Sequence, residues 1–573
     1  MQPTLPAYDY VIAGGGSAGC VMANRLSADP AITVLLIEAG LDMPPGQEPA
    51  EIRSPVPSVI FHGTRYMWPD LRVVPFRDRD GDRFYEQARV LGGGSSINAQ
   101  VGNRGIPDDY DEWERLGAAG WGWNDVLPYF RKLEHDLDFA GNSEMHGADG
   151  PIPLYRVPRE QWPVFSTTLA GVAEKAGLRD IGDQNAVFDD GYFSPAYTNE
   201  HDQRVSASMA YLPATVRARP NLTIVTEAMV TSLTFDGMRA VGLTYVVGDC
   251  TIEVAAGEVL LALGALHTPA MLMRAGIGPA AVLAQHDIAP RVISEGVGKN
   301  LRDHPGTHLC ALVKPHARMP ARLKKSGHVA FRFTSRQEGA LPSDLYMHCG
   351  VSSGWHGVGK RVAYFYFWLN KSRSTGEVVL RDKDPLSRPI VRMNLLSADG
   401  DAERLADGFR FIAGLLRDQA MSSVIERPFA VRFSPFIRFM NQVRAPNRIV
   451  MNALGRLLDG PAWLRRWLAA HVLSNAPGID EFLGDPERLK HYLKTNVMSV
   501  SHVTCTCRMG AADDQKAVVD VAGRVHGIMG LRVIDASVMP SLPRANTNLA
   551  VMMIAEKLAV AILHDRATEG VAG

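Results

Sequence analysis

Glycines near the N-terminus have the spacing of a phosphate-binding loop. An apolar strand leads into the pattern G-x-G-x-x-G formed by Gly14, Gly16 and Gly19. In such a loop Gly14 permits a tight turn, Gly16 lets the backbone approach a pyrophosphate, and Gly19 lets a helix pack on the strand. A helix starting at Ser17 and Ala18 adds unpaired N–H groups and a partial positive charge. These residues therefore predict dinucleotide binding.

The sequence around the loop supplies the elements that must position it. A second apolar strand, Ile32–Ile37, follows the helix and ends in Glu38. A carboxylate at this place can accept hydrogen bonds from an adenosine ribose. This βαβ context distinguishes a dinucleotide site from glycines that only form a turn.

Length and composition narrow the class of protein. With 573 residues the chain is too long for one core, and a hydrophobic content of 46% with 21% charged residues is typical of a soluble globular protein. A net charge of −1 gives no indication of a nucleic-acid partner. The 6 cysteines are scattered and predict neither a disulfide framework nor a zinc site. The first strand begins too early to leave room for a signal peptide, and no uninterrupted apolar run reaches about 18–20 residues. We therefore expect a cytoplasmic protein without a bound metal.

Further motifs separate FAD from other dinucleotides. A second loop rich in glycine and serine covers Arg89–Ala99, and later blocks cover Gly264–Gly278, Gly296–His304 and Ser501–Leu563. Together with the first βαβ unit, these segments resemble, in order, the glucose–methanol–choline (GMC) family of FAD-dependent oxidoreductases. The resemblance covers both ends of the chain.

The resemblance implies an extended FAD. It places Val230, in the strand-like segment Leu222–Leu233, beside the adenine, and the second loop beside the pyrophosphate and the isoalloxazine. Some relatives attach the flavin to a histidine of that loop, where this chain has Ile97, so we expect non-covalent binding. The residues implied to hold FAD are Gly14, Gly16, Ser17, Ala18, Gly19, Glu38, Arg89, Gly93, Ser96, Asn98, Val101, Val230, Asp535, Ala536, Asn546 and Thr547.

The C-terminal block carries the implied catalytic pair. Oxidation of an alcohol by hydride transfer requires removal of the hydroxyl proton, and a positioned imidazole contributes about 10²–10⁴-fold to such a step. His502 opens a segment similar to the family's H-x-x-x-T-C-R-M-G block, and Asn546 stands where the family has a second catalytic histidine or asparagine. The resemblance implies that His502 accepts the proton and Asn546 holds the substrate oxygen. The alternatives are a structural role for His502, a turn role for Asn546, and Asn548 in its place.

The chain departs from the family pattern at three places. Gly102 replaces a frequent aromatic residue, which predicts either a wider pocket or a neighbouring side chain in its place. Cys505 replaces a glycine, as a packing residue or a redox-sensitive one. After Asp303 and His304 the chain lacks the glutamate of choline-oxidising relatives, which disfavours choline.

The motif order predicts an α/β fold with two domains. A discontinuous Rossmann-type FAD-binding domain is expected over 1–160, 200–310 and 496–573. An inserted α+β substrate domain, built on an antiparallel sheet, is expected over 161–199 and 311–495. The segments Ala363–Leu369 and Gly376–Arg381 read as its strands.

The segment 432–477 is apolar and cationic and predicts two or three short amphipathic helices broken by prolines. Two interpretations stay open. The helices can pack on the substrate domain as a lid or dimer contact, which we favour, or rest on a membrane surface as a peripheral contact. In both cases, apolar surface near the entrance favours a hydrophobic substrate over a sugar.

The leading hypothesis is FAD-dependent oxidation of a primary, hydrophobic or aromatic alcohol to an aldehyde. The electron acceptor, whether oxygen, a quinone or another carrier, is not determined, and a dehydrogenase is slightly favoured over an oxidase. Alternatives on the same scaffold are a cyanohydrin-type lyase and a light-driven fatty-acid decarboxylase. A non-enzymatic flavoprotein is a third class, which the spacing of His502 and Asn546 disfavours.

Overall fold

Two large sheets organise the chain in the computed structural model, which describes residues 5–77, 81–431, 435–473 and 478–572. The first sheet has seven strands, of which Ala7–Ala13 and Val34–Ile37 are parallel neighbours. Their apolar runs are mostly buried, as expected for the inner strands of a parallel sheet. In spatial order the strands are Leu222–Val225, Val34–Ile37, Ala7–Ala13, Cys250–Leu261, Arg239–Val247 and Ala228–Asp236, with Leu531–Val533 also paired to Cys250–Leu261.

The second sheet has eight strands and is largely antiparallel. The predicted strand Ala363–Leu369 is confirmed as Val362–Leu369, an inner strand of this sheet. The predicted strand Gly376–Arg381 is confirmed in part, as Glu377–Val379, but it belongs to a separate four-stranded sheet. The strands of the second sheet, in spatial order, are Ile425–Ala430, Pro305–Val313, Val362–Leu369, Leu345–Gly350, Gly327–Phe333, Gly191–Phe193 and Asp180–Gly182, with Met498–Ser499 paired to Pro305–Val313. The α/β class with an antiparallel second sheet is therefore confirmed.

Smaller sheets and the helices complete the fold. The four-stranded sheet contains Glu377–Val379, Ile390–Arg392, Arg72–Val74 and Arg83–Phe84; the two-stranded pairs are Asn199–Glu200 with Gln203–Arg204, Ile277–Gly278 with Val292–Ile293, and Glu134–Asp136 with Ile152–Leu154. The α-helices are Ser17–Leu26, Ala50–Arg53, Ser58–Phe61, Gly94–Ile97, Pro107–Arg115, Trp123–Leu133, Val164–Lys175, Ala207–Tyr211, Ala214–Arg217, Gly264–Arg274, Ala280–Gln285, Asp401–Arg417, Gln419–Val424, Pro435–Asn441, Ala445–Leu457, Ala462–Leu468, Ile479–Leu483, Pro486–Asn496 and Thr547–Ala572. Single 3₁₀ turns are Arg159–Gln161, Pro315–Ala317, Gly359–Arg361 and Ala536–Val538, and Ala469–Leu473 is a π-helical turn.

The C-terminal helix, Thr547–Ala572, is anchored against the first helix of the chain. Its buried Glu556 accepts hydrogen bonds from Arg25 at 2.6–2.9 Å and from the Tyr211 hydroxyl at 2.9 Å. The stretch Thr547–Thr568 is long and apolar enough to cross a membrane by composition, yet 56% of its apolar 18-residue window is buried inside the protein. These contacts identify Thr547–Ala572 as a helix of the protein core.

The predicted helical segment is observed within its described part. Three α-helices and the π-helical turn occupy 435–473, while 432–434 and 474–477 lie outside the described residues. Met451, Leu458 and Leu468 pack on a small apolar cluster that includes Cys310 and Phe429. Other large apolar side chains of the segment face outward: Phe436, Phe439, Val443, Ile449, Val450, Leu457, Trp463, Trp467 and Val472.

The domain boundaries stay a prediction. The strand Pro305–Val313 belongs to the second sheet and spans the boundary placed at residue 310.

Candidate active site

The first glycine loop has the backbone that its sequence predicts. Gly14 has a φ of +107°, and a Cβ there would lie 2.4 Å from the Ala262 carbonyl oxygen. At Gly19 a Cβ would lie 2.0 Å from the Gly14 carbonyl oxygen, so this glycine allows the helix to contact the loop. The helix Ser17–Leu26 begins at Ser17 as predicted, and its N-cap Gly16 provides no side-chain hydrogen bond. The first N–H groups of the helix are thus available to a phosphate.

The second glycine loop lies against the first one. Gly93 has a φ of +54°, and a Cβ there would lie 2.7 Å from the Cα of Gly16. Ser96 donates its hydroxyl to the Leu91 carbonyl oxygen at 2.8 Å, and Arg89 donates Nε to the Ala39 carbonyl oxygen at 3.0 Å. Ser96 and Arg89 therefore stabilise the conformation of the loop from the side that faces away from the cavity.

Glu38 connects the second strand to the first loop. Its carboxylate accepts hydrogen bonds from the backbone N–H of Gly15 at 2.9 Å and of Gly40 at 2.8 Å. Burial raises the pKa of Glu38 to about 7, and these backbone donors oppose the shift. The predicted ribose acceptor is thus held rigidly beside the glycine loop.

Both loops open into one cavity of about 1850 Å³. It brings together most of the residues predicted to bind the cofactor: Gly14, Gly16, Ser17, Ala18, Glu38, Gly93, Asn98, Val101, Val230, Asp535, Ala536, Asn546 and Thr547, as well as His502. Among the described residues of the predicted set, Gly19, Arg89 and Ser96 lie outside this lining and act through the loop contacts given above.

Asp535 joins the return strand to a neighbouring helix. Its carboxylate accepts hydrogen bonds from the Gly264 N–H at 2.8 Å and the Thr268 hydroxyl at 2.6 Å, and from the Ser537 N–H at 2.8 Å. Burial raises its pKa. Asp535 thereby fixes the backbone of Ala536 at the cavity wall.

The two predicted catalytic side chains are in direct contact. The Nδ2 atom of Asn546 lies 3.1 Å from Nε2 of His502. Asn548 instead accepts a hydrogen bond from the Ser17 hydroxyl at 2.7 Å, next to the first glycine loop. The geometry therefore places Asn546 beside His502, and Asn548 where the N-termini of the first and last helices meet.

A chain of hydrogen bonds determines how these side chains are oriented. The Gly105 N–H donates to Oδ1 of Asn103 at 2.9 Å, so the Asn103 amide group points the other way, toward Oδ1 of Asn546 at 3.4 Å. Asn546 then presents Nδ2 to His502, whose Nε2 must accept and whose proton lies on Nδ1. A neutral His502 with its lone pair on Nε2 is the form that can act as a base, when a substrate hydroxyl replaces the Asn546 amide as the donor to that lone pair.

A second histidine accepts the hydrogen bond that Nδ1–H of His502 donates. Nδ1 of His304, which is fully buried, lies 2.9 Å from Nδ1 of His502. One oxygen of the Asp303 carboxylate accepts the backbone N–H of His304 at 2.7 Å and that of His502 at 2.8 Å, and its other oxygen accepts the Ser499 hydroxyl. Asp303 therefore fixes the backbone of both histidines.

Electrostatics favour the neutral base. Burial lowers the pKa of His502 to about 3. The pKa of His304 is also well below its ordinary value because of burial, and in addition because of the neighbouring His502. The pair is uncharged at neutral pH.

Sequence reasoning identified the block ending in Asp303 and His304 only as a family motif. It did not assign these residues to the site, and it also missed Asn103. The motif could have pointed to Asp303 and His304, because it ends in an acid followed by a histidine. The contact of Asn103 joins segments far apart in sequence and has no local signal.

The departures from the family pattern have structural explanations. At Gly102 a Cβ would lie 2.6 Å from the Leu154 side chain, so a neighbour fills the space of the missing ring. Cys505 is buried with a φ of +73°, a conformation in which glycine has no steric cost, and burial raises its thiol pKa to about 11. Cys505 is therefore a protonated packing residue.

A separate buried cluster lies in the strand pair Glu134–Asp136 with Ile152–Leu154. His146 contacts Glu134 at 2.8 Å, Asp136 at 3.2 Å and Asp183 at 2.6 Å, and its pKa rises to about 10 because these hydrogen bonds outweigh the effect of burial. Arginines 104 and 156 pair with the same carboxylates. The cluster is an ion-pair network of the fold.

The residues present fit an extended dinucleotide. The helix N-terminus is uncapped, a side chain at Gly93 would fill the junction between the loops, and the cavity continues from Glu38 to His502. A flavin dinucleotide matches both the phosphate-binding end and the acid–base end.

Comparison with known proteins gives a consistent result. Residues 8–306 match the N-terminal model of the GMC oxidoreductases, and residues 372–555 match the C-terminal model. The chain is 43% identical to a 5-(hydroxymethyl)furfural oxidase of Methylovorus sp. (strain MP688), over 97% of this chain and 98% of the relative. It is 32% identical to an alcohol dehydrogenase [acceptor] of Pseudomonas putida, over 97% of this chain and 96% of the relative. Among solved structures, pyridoxine 4-oxidase from Mesorbium loti superposes with a TM-score of 0.79 at 26% identity, covering 97% of this chain and 99% of that one.

Proposed function

Because this chain belongs to the GMC oxidoreductase family and is an FAD-dependent enzyme acting on alcohols, we propose that it oxidises a primary, hydrophobic or aromatic alcohol to the aldehyde. The observation that carries the proposal is the contact of 3.1 Å between Asn546 Nδ2 and His502 Nε2 in the wall of the cavity. It presents a hydrogen-bond donor and a base to one substrate hydroxyl.

His502 is the group that takes the hydroxyl proton. Its Nε2 lone pair accepts from Asn546 in the free protein and takes the substrate hydroxyl instead when the alcohol binds. Nδ1 of His304 accepts the hydrogen bond from Nδ1–H of His502 and so fixes the tautomer. Asn546 donates to the substrate oxygen as negative charge develops there. Bound FAD supplies the acceptor, flavin N5, for the hydride that leaves the carbinol carbon. The N-terminus of the helix Thr547–Ala572 lies at the same wall, and its helix dipole favours negative charge.

The walls near His502 support an aromatic substrate. Tyr364, Tyr366 and Trp368 alternate along one strand and all line the cavity. The Trp368 ring lies 6.3 Å from the His502 ring, and His308 stacks on Tyr366 at 3.9 Å. The most similar of the relatives named above acts on 5-(hydroxymethyl)furfural, which carries a hydroxymethyl group on an aromatic ring.

The flavin is proposed to be bound without a covalent bond. Ile97 is buried at the cavity wall and its side chain has no nucleophilic atom. Acid precipitation of the purified protein should release all flavin absorbance into the supernatant, and yellow colour retained in the pellet would contradict this.

The segment 435–473 is proposed to form the entrance of the cavity. Phe436 and Val450 line the cavity and are 67% and 51% exposed, so the apolar wall continues to the outside. As a lid or a dimer contact it would work in a cytoplasmic enzyme, and its exposed tryptophans and arginines also suit a peripheral membrane contact. Flotation with liposomes that contain anionic lipid separates these two roles.

The test of the proposed function is the visible spectrum of the FAD-loaded protein under anaerobic conditions. Benzyl alcohol, 5-(hydroxymethyl)furfural, aliphatic alcohols of increasing length, choline and glucose are added in turn. The flavin band should bleach with the aromatic alcohols, and admission of air then shows whether oxygen accepts the electrons. A band that bleaches with none of them would refute the proposal in favour of a lyase, a light-driven decarboxylase or a flavoprotein without catalysis.

A further inference from the structure

A lysine is buried in the wall of the cavity. Lys325 is 4% exposed and lines the cavity. Its Nζ lies 3.9 Å from the centroid of the Tyr197 ring and 3.4 Å from the Ala99 carbonyl oxygen, a long hydrogen bond. Within the described residues, Lys325 forms no ion pair with a carboxylate. The nearby acid whose charge raises its pKa, Asp202, is exposed to solvent.

The surroundings of Lys325 leave its charge without compensation. Burial lowers its pKa well below the ordinary value, and the nearby Arg204 lowers it further. Arg204 is 1% exposed and donates to the carbonyl oxygens of Ile52 and Ser95 and to Oδ1 of Asn98. A buried ammonium group without a counter-ion is costly. An anion in the cavity would remove this cost.

The side-chain polar groups next to Lys325 form hydrogen bonds with one another and not with its ammonium group. The Tyr197 hydroxyl donates to the Gly327 carbonyl oxygen at 3.0 Å and so accepts from Nε2 of His348 at 2.7 Å. Nδ1 of His348 then accepts the Tyr364 hydroxyl at 3.0 Å. One of the three N–H groups of Lys325 points to Ala99. The ammonium therefore keeps donors for a ligand.

Lys325 marks a second polar end of the cavity, remote from the base. Tyr364, which belongs to the network beside Lys325, and Trp368, which lies beside His502, are on the same strand. At a rise of about 3.3 Å per residue their backbones are roughly 13 Å apart. Aromatic walls lie between the two ends. A substrate that reaches from one to the other has an alcohol at one end and an anionic group at the other.

We propose that Lys325 binds a carboxylate carried by the substrate, so that the preferred substrates are aromatic primary alcohols with a carboxylate remote from the hydroxyl. This inference rests on the proposed function and specifies its substrate class. A carboxylate carries the single negative charge that one ammonium group neutralises. It is planar and can lie in the plane of an attached aromatic ring, so it fits between the same aromatic walls.

The experiment compares 4′-(hydroxymethyl)biphenyl-4-carboxylate, which is long enough to reach from one end to the other, with 4′-methylbiphenyl-4-methanol in anaerobic flavin reduction. In the wild type the acid should have the lower KM. The variant Lys325→Met should raise the KM of the acid relative to that of the neutral alcohol roughly 10- to 100-fold, the usual effect of losing a hydrogen bond to a charged group. Lys325→Arg should recover most of this loss. Lys383→Met, at an exposed lysine outside the cavity lining, is the matched control and should leave the ratio as in the wild type.

Binding of benzoate gives a readout that does not depend on turnover. Titration of the oxidised holoenzyme should perturb the flavin spectrum, with a Kd that Lys325→Met weakens roughly 10- to 100-fold. No perturbation in the wild type, or equal losses of both alcohols in Lys325→Met, would overturn the proposal. If neither alcohol reduces the flavin while benzoate still binds through Lys325, the proposed reaction is refuted and the anion site stands.

Discussion

Replacement of Asn546 by alanine should slow the chemical step without emptying the flavin site. Asn546 Nδ2 lies 3.1 Å from Nε2 of His502, so it can donate to an oxygen that gives up its proton to that nitrogen. Loss of one such preorganised donor typically costs about 10²–10³-fold in rate, or about 2.7–4 kcal/mol. The Asn103 amide also loses its acceptor, which loosens the orientation of the pair.

The assay is anaerobic stopped-flow reduction of the bound flavin by a saturating aromatic alcohol. Asn546→Ala should lower the limiting reduction rate about 10²–10³-fold, while the ratio of flavin to protein stays close to that of the wild type. Asn546→His should recover part of the rate, because an imidazole N–H can replace the amide donor.

Asn548→Ala is the matched control, two positions along the chain. Asn548 holds the Ser17 hydroxyl at the glycine loop, so this variant should lose FAD on dilution more readily than it loses rate. The reasoning would be refuted if Asn546→Ala reduced its flavin at the wild-type rate, or if the two alanine variants exchanged these effects.

Other perturbations have effects that the structure specifies. Glu556→Ala should lower the free energy of unfolding by about 1–3 kcal/mol, since it leaves the buried hydroxyl of Tyr211 without its acceptor and the half-buried guanidinium of Arg25 without its ion pair, whereas Glu556→Gln should cost less; urea unfolding of the holoenzyme measures both. Cys505→Gly should change that free energy by less than about 1 kcal/mol, because relief of the left-handed backbone offsets the flexibility of glycine, and Cys505→Val should lower the melting temperature markedly. Acid should destabilise the protein below about pH 6.5, the ordinary histidine pKa, because unfolded histidines then bind protons that the folded ones refuse, at about 1.4 kcal/mol per pH unit for each histidine. A melting temperature that stays constant from pH 7 to 5 would contradict this. Glu38 and Asp303, whose pKa values burial raises to about 7 and about 6, act in the opposite direction in this range, and His146, with its pKa of about 10, does so above pH 6.5. The histidines with lowered pKa values outnumber these groups: burial lowers the pKa to about 4 for His62 and His328, to about 3 for His267, His308, His348 and His502, and well below normal for His304.

The parts of the site that the sequence predicted are those with a local signal. A glycine loop between a strand and a helix specifies its own backbone, so the turn at Gly14 and the helix start at Ser17 follow from neighbouring residues. The strand predicted over Ile32–Ile37 begins two residues later, at Val34, because the chain bends at Ile32 before it enters the sheet. Such boundary differences do not move the site.

The parts that the sequence could not predict depend on contacts between distant segments. The orientation of His502 follows from Asn103 through Asn546 and from His304, which come from three widely separated stretches of the chain. Lys325 has no motif around it, and its significance appears only when the fold buries it beside Tyr197. Pairings of this kind are set by tertiary packing, which no local pattern encodes.

The most direct test of the account is the pH dependence of anaerobic flavin reduction in the wild type and in His502→Ala. Because the pKa of His502 lies near 3, the wild-type rate should be independent of pH from 6 to 9. The variant should be about 10²–10⁴-fold slower at pH 7, and its rate should rise with pH as hydroxide replaces the lost base. A variant that reduces its flavin at the wild-type rate, with the same flat profile, would contradict the assignment of His502 as the base.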